Sequence, residues 1–328
     1  MKKVQNEKLF QKLDNEAAAS CSGGVLSLMV STFAHVDVNK YRSRARFAVL
    51  AVVGTLVSSV INLQSASAAP TRNDSQNEPV YFVHGVHISQ TPGHDCNGYW
   101  GSAMNKFRAL GWTGSLHSVA YYAGDTNCGI RIASGSAHTS ITEYGRLLAW
   151  EIHNRHSRYG RSVDIVAHSM GGLVARAAIT GTTRRLSGWP PYIYVEDVVT
   201  IGTPHNGTGG WARTCFYAQC VEMRPDSPFL NWLADNAQAD GGTDWTMIGT
   251  EDDNYVPVGS ATNESGGAGH YVWYYVGQPL EHDQQTNNVS GTFRNRYWNY
   301  YDRTWHNQLA GQNIITTAKN ASYYWRLW

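Results

Sequence analysis

The sequence predicts an α/β fold with a mainly parallel central sheet covered by helices on both faces. Short apolar runs alternate with segments of helical spacing along the chain, the pattern that places strands under crossover helices. One stretch states the unit outright: Val163-Asp164-Ile165-Val166-Ala167-His168-Ser169-Met170-Gly171-Gly172-Leu173-Val174-Ala175-Arg176 reads as a buried strand, a sharp turn and a helix. The length, 328 residues, fits one such domain with something extra in front.

The extra segment has the grammar of export. Arg42, Arg44 and Arg46 precede an apolar run over 47–63, and the run ends in Gln64-Ser65-Ala66-Ser67-Ala68-Ala69-Pro70. Basic, apolar, then small-x-small is a secretory signal, with cleavage expected after Ala68. A membrane anchor is the rival, because the run is close to the ~17-residue lower limit of a span, but the small-residue exit favours removal. Met29 is an alternative start. Residues 1–68 are therefore read as a leader, 69–79 as a polar linker and 80–328 as the domain. Loss of the leader removes eight basic and four acidic residues and leaves 18 against 21, a net of −3. No clustered basic face suggests a nucleic-acid partner.

Cys96, Cys128, Cys215 and Cys220 remain beyond the leader. An even count in an exported chain implies disulfides, with three connectivities open. Cys96–Cys128 and Cys215–Cys220 are favoured because each pins a loop local to itself. Metal binding is the alternative, but no Cys-x-x-Cys or paired histidine supports it.

The elements follow in order. Val80-Tyr81-Phe82-Val83 is a first buried strand, leading into His84-Gly85-Val86; residues 99–110 suit a helix and 118–122 a second strand. Residues 124–136 are Gly/Ser/Asn-rich and read as a loop. Ile141, Tyr144, Leu147, Leu148 and Ile152 fall at helical spacing over 141–155. The strand, turn and helix around Ser169 come next, then a strand over 195–200. Residues 205–243 are loop-rich, with a short helix near 229–236. A strand at 246–248, a loop over 249–258, a strand over 271–276 and a final helix over about 305–320 complete the chain.

The chemistry centres on Ser169. A serine at a strand-to-helix apex is held on a strained corner with its hydroxyl exposed, and its neighbours must be small because two backbones pass close together. The bland alternative is a Gly-rich turn between core elements; the preceding Val/Ile strand and Gly172 favour a nucleophile elbow. Active groups of such sheets gather at the carboxyl ends of the strands, and the chain order is serine, acid, histidine. His270 opens its strand, at the wrong end, and His306 falls in the expected last helix. His282 lies just past the strand over 271–276, where a general base can reach the serine. The acid belongs after the strand at 246–248, in Glu251-Asp252-Asp253. Asp253 stands three before Val256 in Asp-x-x-Val-Pro and is preferred; Asp252 is the alternative. The oxyanion donors expected are the N–H groups of Met170 and Val86. His84 and His168 are read as shaping residues.

Together these pieces resemble the secreted bacterial lipases and esterases of the α/β-hydrolase superfamily, nearest to small lipases with an Ala-His-Ser-Met-Gly pentad, here Ala167 to Gly171. The likeness covers roughly Val80 to Asp283 and is carried by His84-Gly85, Ala167 to Gly172, Ile201-Gly202-Thr203-Pro204 with His205-Asn206-Gly207, and Glu281-His282. It implies an α/β-hydrolase fold and hydrolysis of small-molecule or lipid esters through an acyl-enzyme, with Ser169, Asp253 and His282 as the triad. It implies no cofactor or metal, no stable membrane insertion after leader removal, and a monomer. The sequence departs from the pattern in its duplicated acid, its long Gly-rich loop after the acid and its longer, aromatic tail. Residues 205–243 are expected to cap the site in part, with Trp211, Phe216, Tyr217, Phe229 and Trp232 lining an acyl groove or packing the loop onto the core. Two other functions share the pattern: an acyltransferase using the same triad, and a non-catalytic binding protein, against which the intact triad argues.

Overall fold

A computed structural model describes residues 69–72, 74–88 and 93–323; the expected leader, 1–68, and its apolar run lie outside the described residues. Among the described residues nine strands form one sheet in the order β3-β2-β1-β4-β5-β6-β7-β8-β9. They are β1 Val80–Val83, β2 Leu116–Tyr122, β3 Ile130–Gly135, β4 Val163–His168, β5 Val195–Ile201, β6 Asp244–Thr250, β7 His270–Tyr274, β8 Thr292–Asn299 and β9 Thr304–Gln312. Strands β1 to β7 are parallel. The two that follow run antiparallel as a hairpin on the β7 edge.

Among the described residues seven α-helices occur: α1 Cys96–Ala109, α2 Ile141–Arg155, α3 Met170–Thr183, α4 Ala218–Glu222, α5 Pro228–Trp232, α6 Val258–Thr262 and α7 Ile314–Ala321. Two cores explain the near-continuous apolar strands. Tyr81 and Val83 of β1 pack with Leu148 of α2 and Leu173 of α3, while Val80 and Phe82 pack with Trp100 of α1 and Ile314 of α7. A parallel strand buried on both faces cannot alternate polar and apolar residues. The chain leaves β1 for β2 on one side and returns through β4 on the other. The crevice outside the carboxyl ends of β1 and β4 is therefore the topological switch point, where open α/β sheets bind ligands. This is the α/β-hydrolase fold, with its serine turn between β4 and α3.

Several expectations need correction. The loop over 124–136 contains β3, whose Ile130 packs on the core despite the glycines around it. The last helix over 305–320 is instead β9 followed by α7; Asn313 caps α7 by accepting from the Thr316 N–H. His306 accordingly sits in β9, bonded to Asp302. The segment 249–258 runs into a short helix, α6, and the helix near 229–236 is the five-residue α5. The linker over 69–79 is tied down: Arg72 donates to the Glu196 carbonyl and the Asp197 carboxylate, and the Gln76 carbonyl accepts from the Thr113 and Gly114 N–H groups. Cys96 is bonded to Cys128 and Cys215 to Cys220.

Candidate active site

Ser169 links β4 to α3 with φ 55° and ψ −134°, a conformation costly for a residue with a Cβ and held by its surroundings. Its own N–H donates to the Ile201 carbonyl. Gly171 has no room for a side chain, since a Cβ there would lie 2.2 Å from the Val83 carbonyl oxygen, and one on Gly172 would lie 2.2 Å from Thr203 Oγ1. The small residues after the serine thus answer to the Val83 and His84 backbone at Gly171 and to the Thr203 side chain at Gly172.

The side chains named from the sequence converge. His282 Nε2 lies 2.9 Å from Ser169 Oγ, and His282 Nδ1 lies 2.7 Å from Asp253 Oδ2. Asp253 follows β6; His282 opens a short 3-10 helix, His282–Asn287, after β7. The other Asp253 oxygen, Oδ1, accepts the N–H groups of Tyr255 and Val256, at 2.9 and 2.8 Å. That Asx-type turn is the physical content of the Asp-x-x-Val-Pro spacing. Asp252 points elsewhere: its carboxylate accepts the Gly277 and Gln278 N–H groups, at 2.8 and 2.7 Å, and pins the loop after β7. His270 stands at the amino end of β7, 3.2 Å from Asp244 and far from the serine turn along the strand.

Across the crevice, Val86 follows Gly85 at the end of β1. A Cβ on Gly85 would lie 2.7 Å from Ser169 Cβ, so glycine lets this loop press against the serine. Both Val86 and Ser169 line one cleft, together with His282, Trp211 and Tyr255. Met170 is the first residue of α3, so its N–H is one of the donors a helix leaves unpaired at its start and lies at the positive end of the helix dipole. The five cap-segment aromatics divide. Trp211 lines the cleft; Phe229 is buried and Trp232 packs on the core; Phe216 is 84% exposed and Tyr217 half-exposed.

Three supporting side chains were not singled out from the sequence. Tyr99 of α1 accepts the Gly85 N–H at 3.0 Å and lies 2.6 Å from His168 Nδ1, joining the loop after β1 to the serine turn. Asp125 bonds His84 Nε2 at 3.0 Å and accepts the N–H groups of His94, Tyr121 and Tyr122. Burial raises the Asp125 pKa, but the His84 bond and these N–H groups outweigh it and hold the carboxyl below its ordinary range. Burial pushes His168 well below the usual imidazole value, and the neighbouring His282 adds to this, so the ring is neutral beside the candidate base. His94, also buried and next to His84 and His87, is lowered to about 3. The third side chain is Gln285, whose amide donates to Asp253 Oδ2 at 2.8 Å. The contacts of Tyr99, Asp125 and Gln285 left no sign in the sequence, because each joins segments far apart along the chain.

The chain matches a family model described as a PGAP1-like alpha/beta domain over residues 74–223. The matched stretch holds Val86, Ser169 and Met170 and stops before Asp253 and His282. No curated protein matches the chain. Among solved structures it is similar to the mature lipase BlEst2 of Bacillus licheniformis, at 17% identity over 61% of this chain and 76% of that one, TM-score 0.37. It is similar to a gene product of Listeria innocua at 15% identity over 64% and 88%, TM-score 0.42. A lipase-esterase related protein of Clostridium acetobutylicum aligns at 12% identity over 67% and 93%, TM-score 0.41. The chain spans 39% of the propeptide form of BlEst2 and 41% of Aspergillus fumigatus lipase B.

Proposed function

We propose that the protein is an exported serine hydrolase that cleaves carboxylic esters through an acyl-enzyme. The observation that carries this reading is the chain of contacts from Ser169 Oγ to His282 Nε2, 2.9 Å, and from His282 Nδ1 to Asp253 Oδ2, 2.7 Å. In this reading Ser169 Oγ attacks the ester carbonyl carbon while its proton passes to His282 Nε2. Asp253 keeps Nδ1 protonated, fixes the ring and stabilises the imidazolium. The Met170 and Val86 N–H groups take up the developing oxyanion. Collapse expels the alcohol, which leaves with the proton from His282. A water then attacks the acyl-enzyme, gives its proton to His282 and releases the acid, and Ser169 recovers its own.

Two further features support the reading. His168 is neutral, so it adds no charge that would compete with the imidazolium. The two disulfides fit an oxidising destination. Hydrolysis of a short-chain nitrophenyl ester tests the proposal. Ser169→Ala and His282→Ala are each expected to lose nearly all turnover, to a similar extent, because members of such a unit do not add. Full turnover by folded Ser169→Ala would reject it.

A further inference from the structure

We infer that Gln285 is a positioning residue that locks the Asp253 carboxylate in line with His282, an inference that rests on the ester-hydrolase reading above. Gln285 lies three residues after His282 on the 3-10 helix His282–Asn287. Side chains at i and i+3 eclipse on a 3-10 helix, so both point the same way. They meet on one atom: His282 Nδ1 is 2.7 Å and Gln285 Nε2 2.8 Å from Asp253 Oδ2. With two backbone N–H groups on Oδ1, the carboxylate has four donors, one for each of its lone-pair sites. Glu281 and Gln284 close a reciprocal capping box around the start of this helix, fixing the direction from which both side chains arrive.

Gln285 is unusual as a packing residue. It is fully buried, and its Oε1 has no hydrogen-bond partner among the described residues. A buried acceptor left unpaired loses its hydration with no bond to offset it, so an apolar side chain of the same shape would serve the core better. What glutamine adds is the donor to Asp253. The space for it is reserved by Gly202, at φ 55°: a Cβ there would lie 2.5 Å from Gln285 Oε1 and 3.0 Å from Asp253 Oδ2. The glycine of Ile201-Gly202-Thr203-Pro204 thus has a reason in the site, since any side chain would push the amide off the carboxylate.

The role follows from the geometry. The Gln285 N–H holds Oδ2 against rotation of the carboxylate, so His282 meets an acceptor that is already aimed. The test is ester turnover by Gln285→Met, which keeps length and apolar volume but removes the donor, beside wild type and Ser169→Ala. The expected result is a kcat about 10- to 100-fold lower with KM within about twofold, short of the ~10⁴ lost with the carboxylate's orienting bond itself. Gln285→Glu supplies the second arm: a protonated Glu can donate to Asp253 and an ionised one cannot. Its kcat is expected to approach wild type in acid and to fall as pH rises, where wild type does not. Wild-type kcat in Gln285→Met overturns the inference. Should that variant not fold, a Gln285→Glu profile superposable on wild type overturns it. Inactive Ser169→Ala beside unaffected Gln285 variants rejects the Gln285 role alone, whereas active Ser169→Ala rejects the underlying reading.

Discussion

Two adjacent aspartates with the same chemistry have different fates. Asp253 Oδ2 meets His282, while Asp252 ties the Gly277 and Gln278 N–H groups. Asp253→Asn is expected to cost on the order of 10⁴ in kcat, because the amide presents the wrong partner to Nδ1. Asp252→Asn keeps one acceptor oxygen for the loop and is expected to change kcat by less than about tenfold. Steady-state kinetics of the pair checks this, and a severe Asp252→Asn with a mild Asp253→Asn would move the acid by one residue. The sequence was legible here because an Asx turn needs its carboxylate at a fixed offset before Val256. It was illegible at Gln285 and Tyr99, whose roles depend on which helix faces bring distant segments together. The same holds for Asp125, where His84 is 41 residues away along the chain.

At the scale of elements, the strands and helices that build the crevice were readable from apolar periodicity, and the α2 span came out residue for residue. The tail was misread for a physical reason. Trp305 and Leu309 stand four apart and imitate a helix face, yet β9 pairs with β8 through Trp298↔Trp305, whose rings meet edge to face, and Tyr297↔His306, whose rings stack, and these cross-strand pairs support that register. Cross-strand pairs between segments cannot be seen in a window on one of them. The loop bearing Asp125 is held by Cys96–Cys128, which joins the start of α1 to the segment before β3 across a separation of 32 residues. Cys215–Cys220 spans only 5. Loop-closure entropy therefore predicts a loss of about 4 kcal/mol when the first pair is replaced by alanines and about 2 kcal/mol for the second. Denaturant unfolding of the two double variants measures both, and peptide mapping without reductant checks the pairing. Equal losses would show that chain entropy does not govern these bonds.

For the whole molecule, the sheet has two chemically distinct ends. The carboxyl end holds the serine crevice, and the amino end gathers Glu78, Asp164, Glu196, Asp197 and Asp244 around Arg72. Ser162 Oγ lies 2.9 Å from Glu78 Oε1 and 2.6 Å from Glu196 Oε1. One hydroxyl donates one proton, so one of these carboxyls supplies a proton for the second contact. Burial first, and then the Glu196 charge, pushes Glu78 up from its ordinary 4.5 to about 7. Burial and the Asp197 charge likewise hold Asp164 well above the carboxylate range, and neither of its oxygens has a hydrogen-bond partner among the described residues. The folded state then keeps protons that the unfolded chain releases, so these groups favour folding in acid, and their contribution is lost as pH rises from about 4.5 through about 7. Thermal melts across that range are expected to show Tm falling in wild type and falling less in Glu78→Gln; superposable profiles would contradict this. None of the cluster was legible beforehand, because carboxylates scattered from residue 78 to 244 meet only through the parallel register of the strands that carry them.

The central claim, that Ser169 is an activated nucleophile, is tested most directly by the site of covalent capture. Folded protein incubated with a fluorophosphonate should gain the mass of one phosphonyl group, peptide mapping should locate it on Ser169, and His282→Ala should slow the labelling sharply. A folded sample that takes no label, or takes it on another residue, would contradict the account.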